Sequence, residues 1–366
     1  MVTVIFYTTI LLSSTFFVYL SEKGRKNIDR LFLLGIAFLF VFVPSAIRYD
    51  IGVDYMAYKD IYENSMRLST YLKEPGFYFI NWFLSKLGAH FQWLFATIAL
   101  IFTAVAFKAY PRKHASLLHF LFFSSLWYFS FNGMRQAVAL AWCLLALVCF
   151  IENRYSYFFT FSFIGATFHL SALFILLAGF AALIPLTPRI KSKVLPLIFV
   201  SIIIATYISM NMVLVYIEQI LKILGFLRYA GYFSSVKHFI ARDFGTGIGV
   251  LIKVMFSSYI IMNSKIILKT NKNYWLLICL TFLYAVGAII ASRIIIFGRM
   301  ANAFVVAPIL GAYVLFVLNK KKNIHRFVLA LFILFLFFAF VKDGMGIETS
   351  YANPKRNPYQ TIFSEL

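Results

Sequence analysis

The chain has 366 residues, of which 62% are hydrophobic and only 13% charged, with a mean hydropathy of +0.85. A soluble domain is nearer 45–50% apolar and about 25% charged, so a soluble enzyme, a disordered chain and a secreted disulfide scaffold are excluded. The charge balance is strongly basic all the same: 34 Lys/Arg against 13 Asp/Glu, a net +21.

Apolar blocks separated by basic breaks predict an all-α polytopic membrane protein with about twelve spans. They lie near residues 2–20, 31–47, 91–107, 115–131, 134–151, 157–169, 171–186, 194–210, 248–262, 274–290, 300–318 and 327–341. The first run carries its bases (Lys23, Arg25, Lys26, Arg30) behind it. It lacks a basic leader and a small-residue cleavage site, so a first helix with an outer N-terminus is expected, not a cleaved signal peptide. Spans 157–169 and 171–186 are short and adjoin, which suits a tight helical hairpin or a re-entrant pair. Interfacial helices are expected over Phe77–Leu87 and Val213–Leu224. Residues 1–366 form one membrane domain in this reading, with outer segments at 48–90 and 211–247 and an outer tail at 342–366. Cys143, Cys149 and Cys279 sit in apolar runs without metal-ligand spacing and read as small hydrophobes.

With the N-terminus outside, eighteen of the 34 Lys/Arg fall in six short inner loops, beside only three acids. That is the asymmetry that orients helices during insertion. It accounts for most of the net charge and leaves nothing that calls for a nucleic acid partner. The outer and intramembrane bases need another explanation: Arg48, Arg135, Arg228, Arg242, Lys253, Arg293 and Arg299. Charges at such depth line polar cavities, and arginines at one membrane face suit an anionic ligand, above all a phosphate gripped bidentately.

Short motifs surround these arginines. Arg48-Tyr49-Asp50-Ile51-Gly52-Val53-Asp54-Tyr55, followed by Tyr58, places two acids about a turn-permitting glycine, with tyrosine faces suited to sugar rings. Glu74-Pro75-Gly76-Phe77 reads as a turn into a helix. Arg135-Gln136-Ala137 heads a span, where free N–H groups and the helix dipole favour a pyrophosphate. Phe168-His169-Leu170-Ser171-Ala172-Leu173 brings an imidazole to the same expected depth, where it can serve as general base. The tail ends on Asn357-Pro358-Tyr359. No Gly-rich phosphate loop, Asp-x-Asp pair or metal-ligand spacing is seen, so neither a metal nor another cofactor is expected.

These five motifs, in this order across nearly the whole chain, resemble the EpsG-like branch of the Wzy polysaccharide polymerases. Val53 departs from the small hydroxyl residue often found there. The resemblance implies a metal-independent, GT-C-like glycosyltransferase working on the outer (periplasmic) side of the bacterial cytoplasmic (inner) membrane, the side on which the charge asymmetry and twelve crossings put both termini. It would transfer a growing glycan from undecaprenyl pyrophosphate to the non-reducing-end sugar of an incoming undecaprenyl-pyrophosphate-linked oligosaccharide. Membrane lipids are the other partners, and a chain-length regulator is an optional one.

On this expectation Arg135, with Arg299, Arg293 and Lys253, holds the pyrophosphate; His169 is the base and Asp54 the runner-up. Asp50, Tyr55 and Glu74 bind sugar. Arg48 pairs with an acid of its loop or touches a second pyrophosphate. Gln136, Arg228 and Tyr359 complete the binding set. A flippase for lipid-linked oligosaccharide and an O-antigen ligase stay open as alternatives.

Overall fold

The computed structural model describes residues 1–64, 74–184, 194–225, 247–292, 295–318, 323–347, 349–350 and 353–364. Each of the twelve predicted apolar runs is helical. They correspond to α1 (Val2–Lys23), α2 (Asn27–Ile47), α5 (Gln92–Lys108), α6 (Ala115–Asn132), α7 (Met134–Ile151), α8 (Tyr155–Phe168), α9 (Ala172–Leu183), α10 (Val194–Ile208), α12 (Ile248–Met262), α14 (Tyr274–Ala291), α16 (Val306–Leu318) and α17 (Asn323–Asp343). Between them lie α3 (Tyr55–Glu63), α4 (Pro75–Lys86), α11 (Met210–Ile223), α13 (Ser264–Thr270) and α15 (Ile295–Asn302). Helices α4 and α11 fall on the two expected interfacial segments. A two-residue hairpin, Thr349–Ser350 with Asn353–Pro354, and a 3₁₀ turn at Ile362–Ser364 end the described chain.

Among the described residues six helices are long and apolar enough to cross a bilayer, or seven if α12 and α13, bent by 50°, form one span. At 1.5 Å per residue, α8 with 14 residues and α9 with 12 reach about 21 and about 18 Å, short of a hydrocarbon core of about 30 Å. They break at His169, whose backbone is extended. This is the short adjoining pair that the sequence suggested.

The helices group into two compact units, Met1–Leu176 with Phe327–Leu366, and Leu177–Arg326. In the first, α7 is the central element: 78% of its apolar window is buried, against 33% for α1 and 28% for α2. A helix apolar all round, with Ala137, Ala141 and Ala146 allowing close approach, belongs in the middle of a bundle. Gly165 of α8 makes the α7 contact possible, since a Cβ there would lie 3.2 Å from the Ala139 carbonyl oxygen. The second unit packs around Ile203, Ile261, Ile278, Ala285 and Ile289.

Polar residues in this apolar bundle serve helix ends, where backbone groups lack intrahelical partners and lipid supplies none. Glu22, just before the end of α1, accepts from the Ser116 backbone N–H at 2.7 Å, the Ser116 hydroxyl at 2.5 Å and the His114 N–H at 3.0 Å, so it caps α6. At the C-terminal end of α2 three successive carbonyls are met by side chains. The Tyr359 hydroxyl donates to Pro44 O at 2.9 Å, Arg48 Nη1 to Ser45 O at 2.7 Å, and Gln92 Nε2 to Ala46 O at 2.5 Å.

Candidate active site

Four stretches of the first unit converge on Arg135. Helix α7 begins at Met134, so Arg135 projects from its first turn, at the positive end of the helix dipole. The loop before α3 is held against the same place. Gly52 has φ +101°, and a Cβ on it would fall 2.5 Å from the Phe131 carbonyl oxygen, so only glycine fits. Val53 N–H donates to Asn132 Oδ1 at 2.9 Å. This docking carries Tyr58, one turn into α3, to the Arg135 guanidinium: Arg135 Nε donates to the Tyr58 hydroxyl at 3.4 Å.

Glu74 enters from the start of α4. Gly76 lets that helix touch the end of α8, since a Cβ there would lie 2.4 Å from Thr167 Oγ1. Glu74 is thereby set between two partners. Its Oε2 accepts from Arg135 Nη1, and its Oε1 lies 3.9 Å from His169 Nε2. The rings of Tyr58 and Phe77 flank the guanidinium, with centroids 5.7 and 5.5 Å from Cζ. Burial raises the Glu74 carboxyl above its ordinary range, and the Arg135 charge and hydrogen bond pull it back.

His169 is oriented by its own motif. Ser171 N–H donates to Nδ1 at 3.2 Å, and the Ser171 hydroxyl lies 2.8 Å from the same nitrogen. Gln136 Nε2 in turn donates to Ser171 Oγ at 3.3 Å. A ring nitrogen that accepts a backbone N–H carries no proton, so the neutral imidazole holds its proton on Nε2, facing Glu74. Arg135, His169 and Glu74 side chains retain 26%, 25% and 12% exposure, enough to meet a ligand at their edge.

The other expected site residues have different surroundings. Arg48 is 2% exposed and binds carbonyls, Ser45 O and, at 3.4 Å, Phe131 O, inside a cage of Phe95, Phe131 and Tyr55. Neither an acid of its loop nor a ligand surface is at its guanidinium, because the charge is used on the α2 C-terminus. Tyr55 is fully buried, stacked 4.3 Å from Phe95 with its hydroxyl donating to Gln92 at 3.0 Å, so its face is not open to a sugar.

Asp50 pairs with Lys355 of the tail, and Gly52 N–H donates to Lys355 O at 2.9 Å. Tyr359 wedges against Phe6 and Tyr7, its N–H bound to Thr3 Oγ1 at 3.1 Å. Residues 355–361 of the tail therefore form a strap that pins the Arg48–Asp54 loop, reinforced by an Arg48–Thr361 bridge. Asp54 stands at the N-cap of α3. Lys253 and Arg299 lie in the second unit, both exposed. Arg228 and Arg293 fall outside the described residues, as does Arg242.

Ser171, Lys355 and Gln92 were missed as contributors. Only Ser171 left a signal, two residues after His169 in its motif; the others act across long sequence separations.

Fold and site together define a polytopic membrane protein with a partly buried Arg–Glu–His cluster at a helix N-terminus. The profile of the EpsG family matches residues 31–361, and the chain belongs to that family. Membership points to a function of the polysaccharide-polymerase type. No curated protein and no solved structure matches the chain. Among the described residues no group of three His, Cys, Asp or Glu could hold a metal ion.

Proposed function

We propose that the chain is a lipid-linked polysaccharide polymerase of the cytoplasmic membrane, working on the outer face with both of its termini on that side. The donor is a glycan on undecaprenyl pyrophosphate; the acceptor is the non-reducing-end sugar of a second lipid-linked unit. The observation that carries this reading is the meeting of Arg135, Glu74 and His169 at the N-terminal end of α7.

Arg135 holds the donor pyrophosphate, aided by the α7 dipole. The acceptor hydroxyl oxygen bonds to the anomeric carbon as the bond from that carbon to the pyrophosphate oxygen breaks. The bonding electrons leave with undecaprenyl pyrophosphate, whose growing charge Arg135 stabilises. His169, its proton on Nε2, is a hydrogen-bond donor beside the reacting oxygens instead of the base expected from sequence. The reaction needs neither nucleotide nor metal, because the pyrophosphate is already an activated leaving group. Arg299, Arg293, Arg228 and Lys253 are retained as outer-face contacts for the lipid-linked partners, and Asp54 as a sugar contact.

The test is elongation in cells and in detergent. Arg135→Ala is expected to abolish polymer at normal protein levels; unchanged polymer length and yield would refute the assignment. Repeat-unit flipping and ligation to a lipid A core are the rival outcomes of the same assay.

A further inference from the structure

The Arg135 guanidinium is not vacant: it is occupied by Glu74, a carboxylate of the protein itself. We propose that Glu74 is both a resident stand-in for the donor pyrophosphate and the base of the reaction, released from Arg135 when pyrophosphate takes its place. This rests on the polymerase reading and adds to it the identity of the proton acceptor and the event that frees it.

Three observations carry the inference. First, the Arg135 side chain is partly exposed and its Nη1 is already bound to Glu74 Oε2, so a pyrophosphate that takes Nη1 must displace the carboxylate. Second, Glu74 is poised between two partners: as Oε2 leaves Arg135, Oε1 is already 3.9 Å from the Nε2–H of His169, which can take up the freed carboxylate. Third, His169 cannot accept a proton on Nδ1 without giving up the Ser171 N–H and hydroxyl that surround that nitrogen. That leaves Glu74 as the basic group of this cluster. Its buried setting already disfavours the charged form, and exchanging an arginine neighbour for an anionic one strengthens it as a base.

The step balances. Pyrophosphate oxygens replace the carboxylate on Arg135. The acceptor hydroxyl gives its proton to Glu74 as its oxygen bonds to the anomeric carbon, and undecaprenyl pyrophosphate departs with the electron pair. Departure of that product returns the guanidinium to Glu74, whose proton passes to water. An empty site thus holds its base neutralised by an ion pair, and the base is freed only once a donor is bound.

The experiment compares wild type, Glu74→Gln and Arg135→Ala, purified in neutral-lipid nanodiscs, with inorganic pyrophosphate as the probe in calorimetry. Removing the competing charge in Glu74→Gln should tighten pyrophosphate binding about three- to tenfold, the range for a partly exposed ion pair. Its elongation rate with lipid-linked repeat unit should fall by about 10²–10⁴-fold, and Glu74→Asp should recover part of the rate. Arg135→Ala should bind no pyrophosphate. Weaker or unchanged binding by Glu74→Gln, or elongation at the wild-type rate, overturns the inference, as does complete displacement of pyrophosphate by phosphatidylglycerol added to the nanodiscs, which would mark a headgroup site. Failure of wild type to elongate would count against the polymerase reading alone and leave the binding comparison intact.

Discussion

Gly76→Ala isolates the contact that sets Glu74 in place. The new methyl carbon would stand 2.4 Å from Thr167 Oγ1, 3.1 Å from Thr167 Cβ and 3.2 Å from Thr167 O. Thr167 cannot swing away freely, because its hydroxyl donates to Ile164 O at 2.7 Å and its backbone ends α8. Overpacking of this kind costs about 1–3 kcal/mol, and the start of α4 relieves it by moving off α8. Glu74, two residues earlier, moves with it. A displacement of about 1 Å at a reacting group lowers rates up to about 100-fold, so Gly76→Ala should elongate about 10- to 100-fold more slowly at normal folded yield.

Thr167→Ala supplies the control. It removes the closest clashing atom, so Gly76→Ala with Thr167→Ala should come within about threefold of Thr167→Ala alone, a coupling of about 1–2 kcal/mol. Elongation rates and thermal unfolding in detergent, measured on the four proteins of the cycle, read the coupling directly. A silent Gly76→Ala, or strictly multiplicative effects, would refute the placement of Glu74 by this contact.

Other expectations concern the same unit. His169→Gln keeps a side-chain N–H donor and should elongate faster than His169→Ala; equal loss in both would restore the imidazole as base. Deletion from Asn353, or Lys355→Glu, should release the Arg48–Asp54 loop, seen as faster hydrogen exchange at Tyr49 and Gly52, whose N–H groups bind Gln360 O and Lys355 O at 2.9 Å. Unchanged exchange would show that the strap does not hold the loop. Because burial raises Glu74 above its ordinary 4.5, the folded protein binds that proton more tightly than the unfolded chain. Its contribution to stability is therefore full at low pH and declines as pH climbs through 4.5 and beyond, and Glu74→Gln should flatten that decline in pH-dependent melting. Arg135→Ala, which removes the opposing charge, should extend the decline to higher pH.

The helices were legible because lipid leaves little choice: runs of apolar residues between basic breaks become helices, and all twelve did. Helices α4 and α11 were legible from amphipathic spacing. Arg135, Glu74 and His169 could each be picked out as polar residues in apolar or turn settings, but their meeting depends on Gly76 against Thr167 and on Gly52 against Phe131. Those contacts join residues separated by about 80 to 90 positions, and no local pattern encodes them. Arg48 misled for a physical reason. An arginine after a span looks like a ligand contact, whereas the end of α2 needed donors for carbonyls that lipid could not satisfy. Tyr55 and Tyr359 misled likewise, since an aromatic face suited to sugar is equally suited to a core or a strap.

The central claim is that Arg135 and its neighbours drive transfer between two lipid-linked glycans. It is tested most directly by the purified chain in detergent, given only undecaprenyl-pyrophosphate-linked repeat unit. The account predicts a ladder of longer lipid-linked glycans, absent with Arg135→Ala. No covalent product, or product only when a lipid A core is added, would contradict it.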